Sequence, residues 1–417
     1  MRAVLILIFL TLLNILNFAD RYIMASFAVD MIADLRLTNL QFTLLTGFVF
    51  TVFYTAMGLI MGALADRYHR PRLMAIGLLV WSALTAATGA AKNFLQVALA
   101  RVFIGVGEAT LSPAALGVLG DVFSPKYRAF ASGFYYLGVP MGIGGAFIIA
   151  GTLGAEIGWR KCFYVLGLLG VVFTGLLLMM RDPRPEAHQA MTAAGSHRPF
   201  TQAFPELKHL LLSSPALTLA MLGGVFVVFA QGALVLDQVW LVEERGFATA
   251  QAQKLTGAMF LVGGILGSIL GGIGGDLYQA RRKGGRLYFL AWVYVIAAPI
   301  SLLYRFADPA GTAFYVYMFV GCITLTLAFG PLFAAVQDLA PERLRSTTIA
   351  FLILCLALLG SAPGNLLAGW LADLFKAAAM PEPITLAVLI GVTPGLFAIP
   401  CFYISGRLME RPRTKNQ

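Results

Sequence analysis

The sequence predicts an all-α membrane protein: twelve transmembrane helices arranged as two pseudo-symmetric six-helix bundles. Three observations predict it. Apolar runs long enough to cross a bilayer recur twelve times, basic residues favour alternate loops, and two loop motifs return roughly 210 residues apart.

The apolar runs come first. Of 417 residues 59% are hydrophobic and only 12% charged, and the mean hydropathy is +0.81. A soluble domain carries about a quarter charged residues, so this chain cannot cover a water-facing surface. A membrane helix needs about 20 apolar residues and satisfies its own backbone hydrogen bonds. Reading runs between polar punctuation gives spans near 3–30, 40–65, 73–91, 94–120, 129–153 and 160–180. Six more lie near 214–241, 253–275, 287–304, 312–336, 347–372 and 384–406. The first run opens like a signal peptide, with Arg2 before Ala3 to Leu13. No small-residue cleavage site follows, and Asn14, Asn17, Asp20 and Arg21 interrupt the pattern, so it reads as a retained span. The domains expected are a bundle over 1–180, a cytoplasmic linker over 181–213 with a surface helix near 204–212, and a bundle over 214–417.

Charge distribution orients the spans. Twenty of the thirty Lys and Arg lie at the termini, in the central linker and in the even-numbered loops; eight lie in the odd-numbered loops. The positive-inside rule then puts both termini and the linker in the cytoplasm, and the location expected is a bacterial inner membrane. The formal charge of +10 is thus topological and gives no reason to expect nucleic acid. Omitting one span would scramble the alternation.

The repeat supplies the third observation. Gly62-Ala-Leu-Ala-Asp66, followed by Arg70 and Arg72, matches Gly272-Ile-Gly-Gly-Asp276, followed by Arg281 to Lys283. DVFSPKYR from Asp121 matches DLAPERLR from Asp338, with the same Asp-to-Arg separation. Duplicated six-span halves are a transporter architecture, with substrate bound between the halves near the midplane. The segment Gly62-x-x-x-Asp66-Arg67-x-x-Arg70-x-Arg72 resembles the loop signature of the major facilitator superfamily. Within it the chain resembles the Spinster branch, through Asp20-Arg21-Tyr22, ADRYHRPRLM (65–74), WSALTAATG (81–89), ARVFIGVGEATLSPAALGVLGDVF (100–123), YYLGVPMG (135–142) and GWRKCFY (158–164). The resemblance implies a monomeric, alternating-access carrier of an amphipathic lipid, such as a lysophospholipid or sphingosine 1-phosphate, driven by protons. A drug or hydrophobic-metabolite antiporter of the same superfamily is the alternative.

Four charges stand inside apolar spans: Asp20, Arg21, Arg101 and Glu108. A charge at the bilayer centre costs about 2.5–3.5 kcal/mol on insertion scales, so such residues pair or line a cavity. Asp20 and Arg21 are adjacent and point roughly 100° apart on a helix, so they do not simply neutralise each other. Arg101 and Glu108, seven apart, share one face. The expected constellation has Asp20 and Glu108 facing each other as the proton-coupling pair. Arg21, Glu108 and Arg101 stand as candidate substrate contacts, Arg21 being the phosphate anchor. Asp66, Arg67, Arg70 and Asp276 are expected to form a cytoplasmic latch that breaks when the halves rock. The second half is otherwise apolar and aromatic, and Asp237 lies near the outer end of its first span.

Other chemistries find no support. The four His (His69, His188, His197 and His209) fall in cytoplasmic segments away from acids, so neither an enzyme nor a metal site is expected. The four Cys lie in apolar runs, as small buried hydrophobes do. Gly clusters at 105–107, 142–145 and 271–276 follow no strand; they read as close helix packing rather than nucleotide loops. No cofactor is expected. Pro113, Pro140, Pro331 and Pro363 inside spans predict bends.

Overall fold

The computed structural model describes residues 2–124, 127–183, 200–341 and 344–410, and among them every regular element is helical. Among the described residues twelve helices are long and apolar enough to cross a membrane. Spans one to six are Arg2–Ser26, Asn39–Gly62, Arg70–Ala90, Phe94–Val122, Phe130–Ile157 and Trp159–Leu178. Spans seven to twelve are Pro215–Glu243, Thr249–Arg281, Gly285–Tyr304, Thr312–Leu339, Thr347–Ala377 and Pro383–Glu410. Span one stops four residues sooner than its hydropathy implies, and a short helix, Ala28–Leu35, follows it. The expected surface helix is Phe200–Ser213, while most of the polar linker before it lies outside the described residues.

Several starts are written in local chemistry. Span two opens with a capping box: the Gln41 N–H donates to Thr38 Oγ1 (3.1 Å) and the Thr38 N–H to Gln41 Oε1 (3.0 Å). Span four opens with Asn93, whose side-chain oxygen accepts from the Gln96 N–H at 3.0 Å.

Prolines account for four of the breaks in the spans. A proline cannot donate to the carbonyl four residues earlier and its ring crowds that turn. Span four is interrupted at Ala109–Thr110, ahead of Pro113, and span five at Leu137, ahead of Pro140. Span ten breaks at Ala328, ahead of Pro331. Span eleven widens into a π segment, Leu356–Ser361, before Pro363. The first break sets the site below, because Glu108 is the last residue before it.

Two compact units emerge. One comprises Met1–His197 and Asp237–Leu261, the other Arg198–Leu236 and Val262–Gln417. In the first, the 237–261 segment is seated on spans one and five. Gln253 Nε2 donates to the Ser26 carbonyl (2.9 Å), and a Cβ on Gly257 would lie 2.8 Å from the Gly144 carbonyl oxygen. In the second, a buried cluster around Leu217, Val225, Leu290, Leu332, Leu352 and Phe402 forms the core.

Spans three and four of the first unit touch backbone to backbone. A Cβ on Gly107 would stand 2.8 Å from the Gly77 carbonyl oxygen and 3.0 Å from Trp81 Cβ. That approach brings Trp81 and Glu108 to the same interior. Gly107→Val is expected to destabilise the protein by about 1–3 kcal/mol through overpacking, lowering the melting temperature of the purified protein; an unchanged melting temperature would show that the two helices can separate freely.

Candidate transport site

The four charges predicted from the spans lie in the first unit, and three of them are almost wholly buried: Asp20, Arg101 and Glu108 expose 2%, 2% and 1% of their surface. Their pairing differs from a simple facing of the two acids. Arg21 takes Glu108: its Nη2 lies 2.7 Å and its Nε 3.1 Å from Glu108 Oε2. Asp20 turns to span three and accepts a hydrogen bond from the Trp81 indole N–H at 3.0 Å. The angle between neighbouring residues on one helix makes this division necessary. Arg101, one face of span four with Glu108, donates from Nε to the Met24 sulfur at 3.2 Å.

Aromatic rings enclose the Arg21 guanidinium. Its carbon lies 4.9 Å from the Phe18 ring centroid, 4.8 Å from Phe50 and 4.4 Å from Tyr54. Their negative faces favour the cation where water is scarce. The enclosure is incomplete: the Arg21 side chain keeps 20% of its surface open, while that of Glu108 keeps 0%. Arg21 is thus the more open member of the pair and Glu108 the enclosed one.

Three polar atoms of the group are left over. Asp20 Oδ1, Glu108 Oε1 and Arg101 Nη2 are buried without a hydrogen-bond partner among the described residues. Met24, which holds Arg101, sits one helical turn beyond Asp20 on the same face. A spare acceptor and a spare donor separated by about one turn are the setting for a bridging water or a direct ion pair. With both acids ionised the four charges sum to zero, and each proton bound makes the group one unit more positive.

A comparison of the whole chain with known proteins decides the family. The model of the Major Facilitator Superfamily matches residues 10–364. The chain belongs to the major facilitator superfamily. It is a transporter rather than an enzyme, and a multi-pass membrane protein. Within the superfamily it is similar to "Protein spinster homolog 1" of Xenopus laevis, at 27% identity over 100% of this chain and 83% of the relative. It is 26% identical to an "MFS-type efflux pump" of Mycolicibacterium smegmatis, over 87% of this chain and 83% of that one. It is also 26% identical to "Sphingosine-1-phosphate transporter SPNS2" of Mus musculus, over 95% of this chain and 77% of the relative. Its fold matches the crystal structure of a bacterial homolog of the human lysosomal transporter Spinster, with a TM-score of 0.82, 23% identity and 99% of both chains covered.

The superfamily loop motif places its charges at the span ends. Arg70, at the start of span three, donates from Nη1 to Asp121 Oδ2 at 2.5 Å, at the end of span four. Its backbone N–H donates to Asp182 Oδ2 at 3.0 Å. The second half repeats the clamp. Arg286 donates to Asp276 Oδ1 (2.7 Å from Nη2) and also pairs with Asp338 at the end of span ten. Arg70 and Asp276 thus hold partners in their own units. The side chains of Asp66 and Arg67, also assigned to the latch, lie outside the described residues.

Sequence reasoning did not single out Trp81, Met24, Tyr54 or Arg286. Arg286 carried a usable signal, because its distance to Asp338 nearly repeats that from Arg70 to Asp121. Trp81 and Tyr54 carried none, since aromatic residues in spans mostly pack against helices. Trp81→Phe removes the donor from a buried carboxylate and is expected to cost about 1–3 kcal/mol. The melting temperature should fall for Trp81→Phe and recover in the double variant Asp20→Asn, Trp81→Phe; equal melting of wild type and Trp81→Phe would remove the bond from the account.

Proposed function

We propose that the protein is a proton-coupled carrier of an amphipathic lipid with an anionic head, a lysophospholipid or a sphingosine 1-phosphate-like molecule. The single observation that carries this reading is the Arg21–Glu108 pair, a partly open cation over a fully buried acid. While Glu108 is ionised it occupies the guanidinium. Once Glu108 takes a proton, Arg21 is free for an anion, and a bidentate guanidinium suits a phosphate. Proton and anion then bind together rather than in competition, which makes the two fluxes run in the same direction. Asp20 is the second proton acceptor, and Arg101 is the cation that can answer its free oxygen. The similarity to a protein described as a sphingosine-1-phosphate transporter supports the lipid class.

The rest of the reading follows the sequence. The bundles over 1–180 and 214–417 rock about the linker, with Asp66, Arg67, Arg70 and Asp276 at the cytoplasmic rim. The protein acts as a monomer in a bacterial inner membrane with both termini in the cytoplasm.

The test is flux in proteoliposomes. A labelled lysophospholipid or sphingosine 1-phosphate is offered under an imposed pH gradient, with Glu108→Gln alongside. Gradient-driven uptake in the wild type that loses its gradient dependence in Glu108→Gln is the expected result. Uptake with unchanged pH dependence in the variant would overturn the proton assignment. No lipid flux, with pH-driven movement of a hydrophobic cation, would overturn the lipid reading and leave a drug antiporter.

A further inference from the structure

The clamps give the two halves a common ruler. Eleven residues beyond the clamp arginine stands Trp81 in the first half, counting from Arg70, and Ala297 in the second, counting from Arg286. Thirteen residues before the clamp aspartate stands Glu108 in the first half, counting from Asp121, and Leu325 in the second, counting from Asp338. The indole and the acid of the first half thus correspond to a methyl group and an isobutyl group in the second. Replacing an indole by a methyl removes volume, and a cavity exists where it is removed: Ala297 and Leu325 both line it.

This cavity has a volume of about 90 Å³ and lies wholly inside the second unit, walled by spans seven, nine, ten and twelve. Small residues make the space. Ala230, Ala297, Ala298, Gly321 and Gly395 all face it, and a Cβ added at Gly321 would meet nothing within 4 Å. Helix distortions widen it. Span nine carries Pro299 beside the wall residue Ala298, and span twelve tightens into a 3-10 segment, Thr393–Phe397, at the same level. No Asp, Glu, Lys, Arg or His lines the cavity. One polar group in its wall is unused: the Tyr294 hydroxyl is buried without a hydrogen-bond partner among the described residues. The rim reaches the surface of the unit, where Thr393 and Leu396 are exposed beside the apolar Phe397.

We propose that this cavity is a binding site for an uncharged alkyl compound carrying one oxygen acceptor, entering from the bilayer between spans nine and twelve. Charge decides the class. An ionised headgroup would find no counter-ion, whereas methylene groups find a wall that is mostly apolar, its polar members being the uncharged Gln231, Tyr294, Ser301, Thr324 and Thr393. An apolar cavity of about 150 Å³ holds a benzene-sized guest, so this one takes a few carbons of a chain while the remainder lies in the mouth. The Tyr294 O–H donates to the guest's hydroxyl or ether oxygen, which fixes its depth. The site stands on the second unit alone and does not depend on which lipid, if any, the first unit's charges transport.

The probe is a long-chain alcohol bearing a mid-chain diazirine, photolysed with the full-length protein in phosphatidylcholine vesicles. Labelled peptides are mapped by mass spectrometry, with the matched methyl ether and alkane as competitors. Saturable labelling of 294–302 and 392–396 is expected, competed better by the ether than by the alkane. Gly321→Leu, which fills the space, should reduce the labelling roughly tenfold or more. Tyr294→Phe should abolish the advantage of ether over alkane, and Glu108→Gln should label like wild type. Labelling spread evenly over the exposed spans, or unaffected by Gly321→Leu, would overturn the site. If Gly321→Leu does not fold, Ala298→Val decides in its place by the same readout. Loss of gradient-driven lipid uptake in Glu108→Gln with labelling intact separates this site from the proton site.

Discussion

The first six-span half depends on one ion pair held inside a membrane, that between Arg21 and Glu108. Either charge alone would cost about 2.5–3.5 kcal/mol to insert, and removing one partner of a buried pair costs about 3–5 kcal/mol. The pair constrains its surroundings accordingly. Phe18, Phe50 and Tyr54 must present ring faces to the guanidinium. Asp20, next in sequence to Arg21, must point elsewhere and needs its own donor, which only a neighbouring helix can supply; Trp81 on span three is that donor. Arg101 is left with a thioether, a weak acceptor, so the group as a whole is balanced in charge but not in hydrogen bonds.

That imbalance has a backbone origin. Glu108 closes the first segment of span four, and the break at Ala109–Thr110 follows from Pro113. Gly107, beside it, lets span three approach to backbone contact. A regular helix with a side chain at that position would hold Trp81 away from Asp20. Proline and glycine therefore act here as positioning elements: one fixes where the helix turns, the other how near its neighbour comes. The same pairing of a proline break with close glycine packing recurs in span five, where Gly142 meets the Ile15 carbonyl region of span one.

Much of the fold was legible because the membrane restricts the solutions. Twelve apolar runs can only be twelve helices. The four buried charges were legible for the same reason, being costly in that setting. Their pairing was not. Sequence places Asp20 and Glu108 on helices but not at a rotation, so their facing each other was as available as the pairs found, Asp20 with Trp81 and Glu108 with Arg21. Nor does the sequence reveal that Arg286, rather than the basic run at 281–283, holds Asp276, because the loop's turn at Gly284, with φ of +71°, brings Arg286 back toward it.

The two halves keep the same rim and unlike interiors. The clamps survive in both because each joins the start of one span to the end of the next, a geometry that duplication copies whole. The interior carries no such constraint: a half needs only to fill its space and to leave no charge unpaired. In the first half the space holds a tryptophan, two acids and two arginines. In the second the corresponding places hold Ala297 and Leu325, and the volume an indole would take is open. The cavity of the second half is lined by no charged residue, whereas the interior of the first is built around four of them.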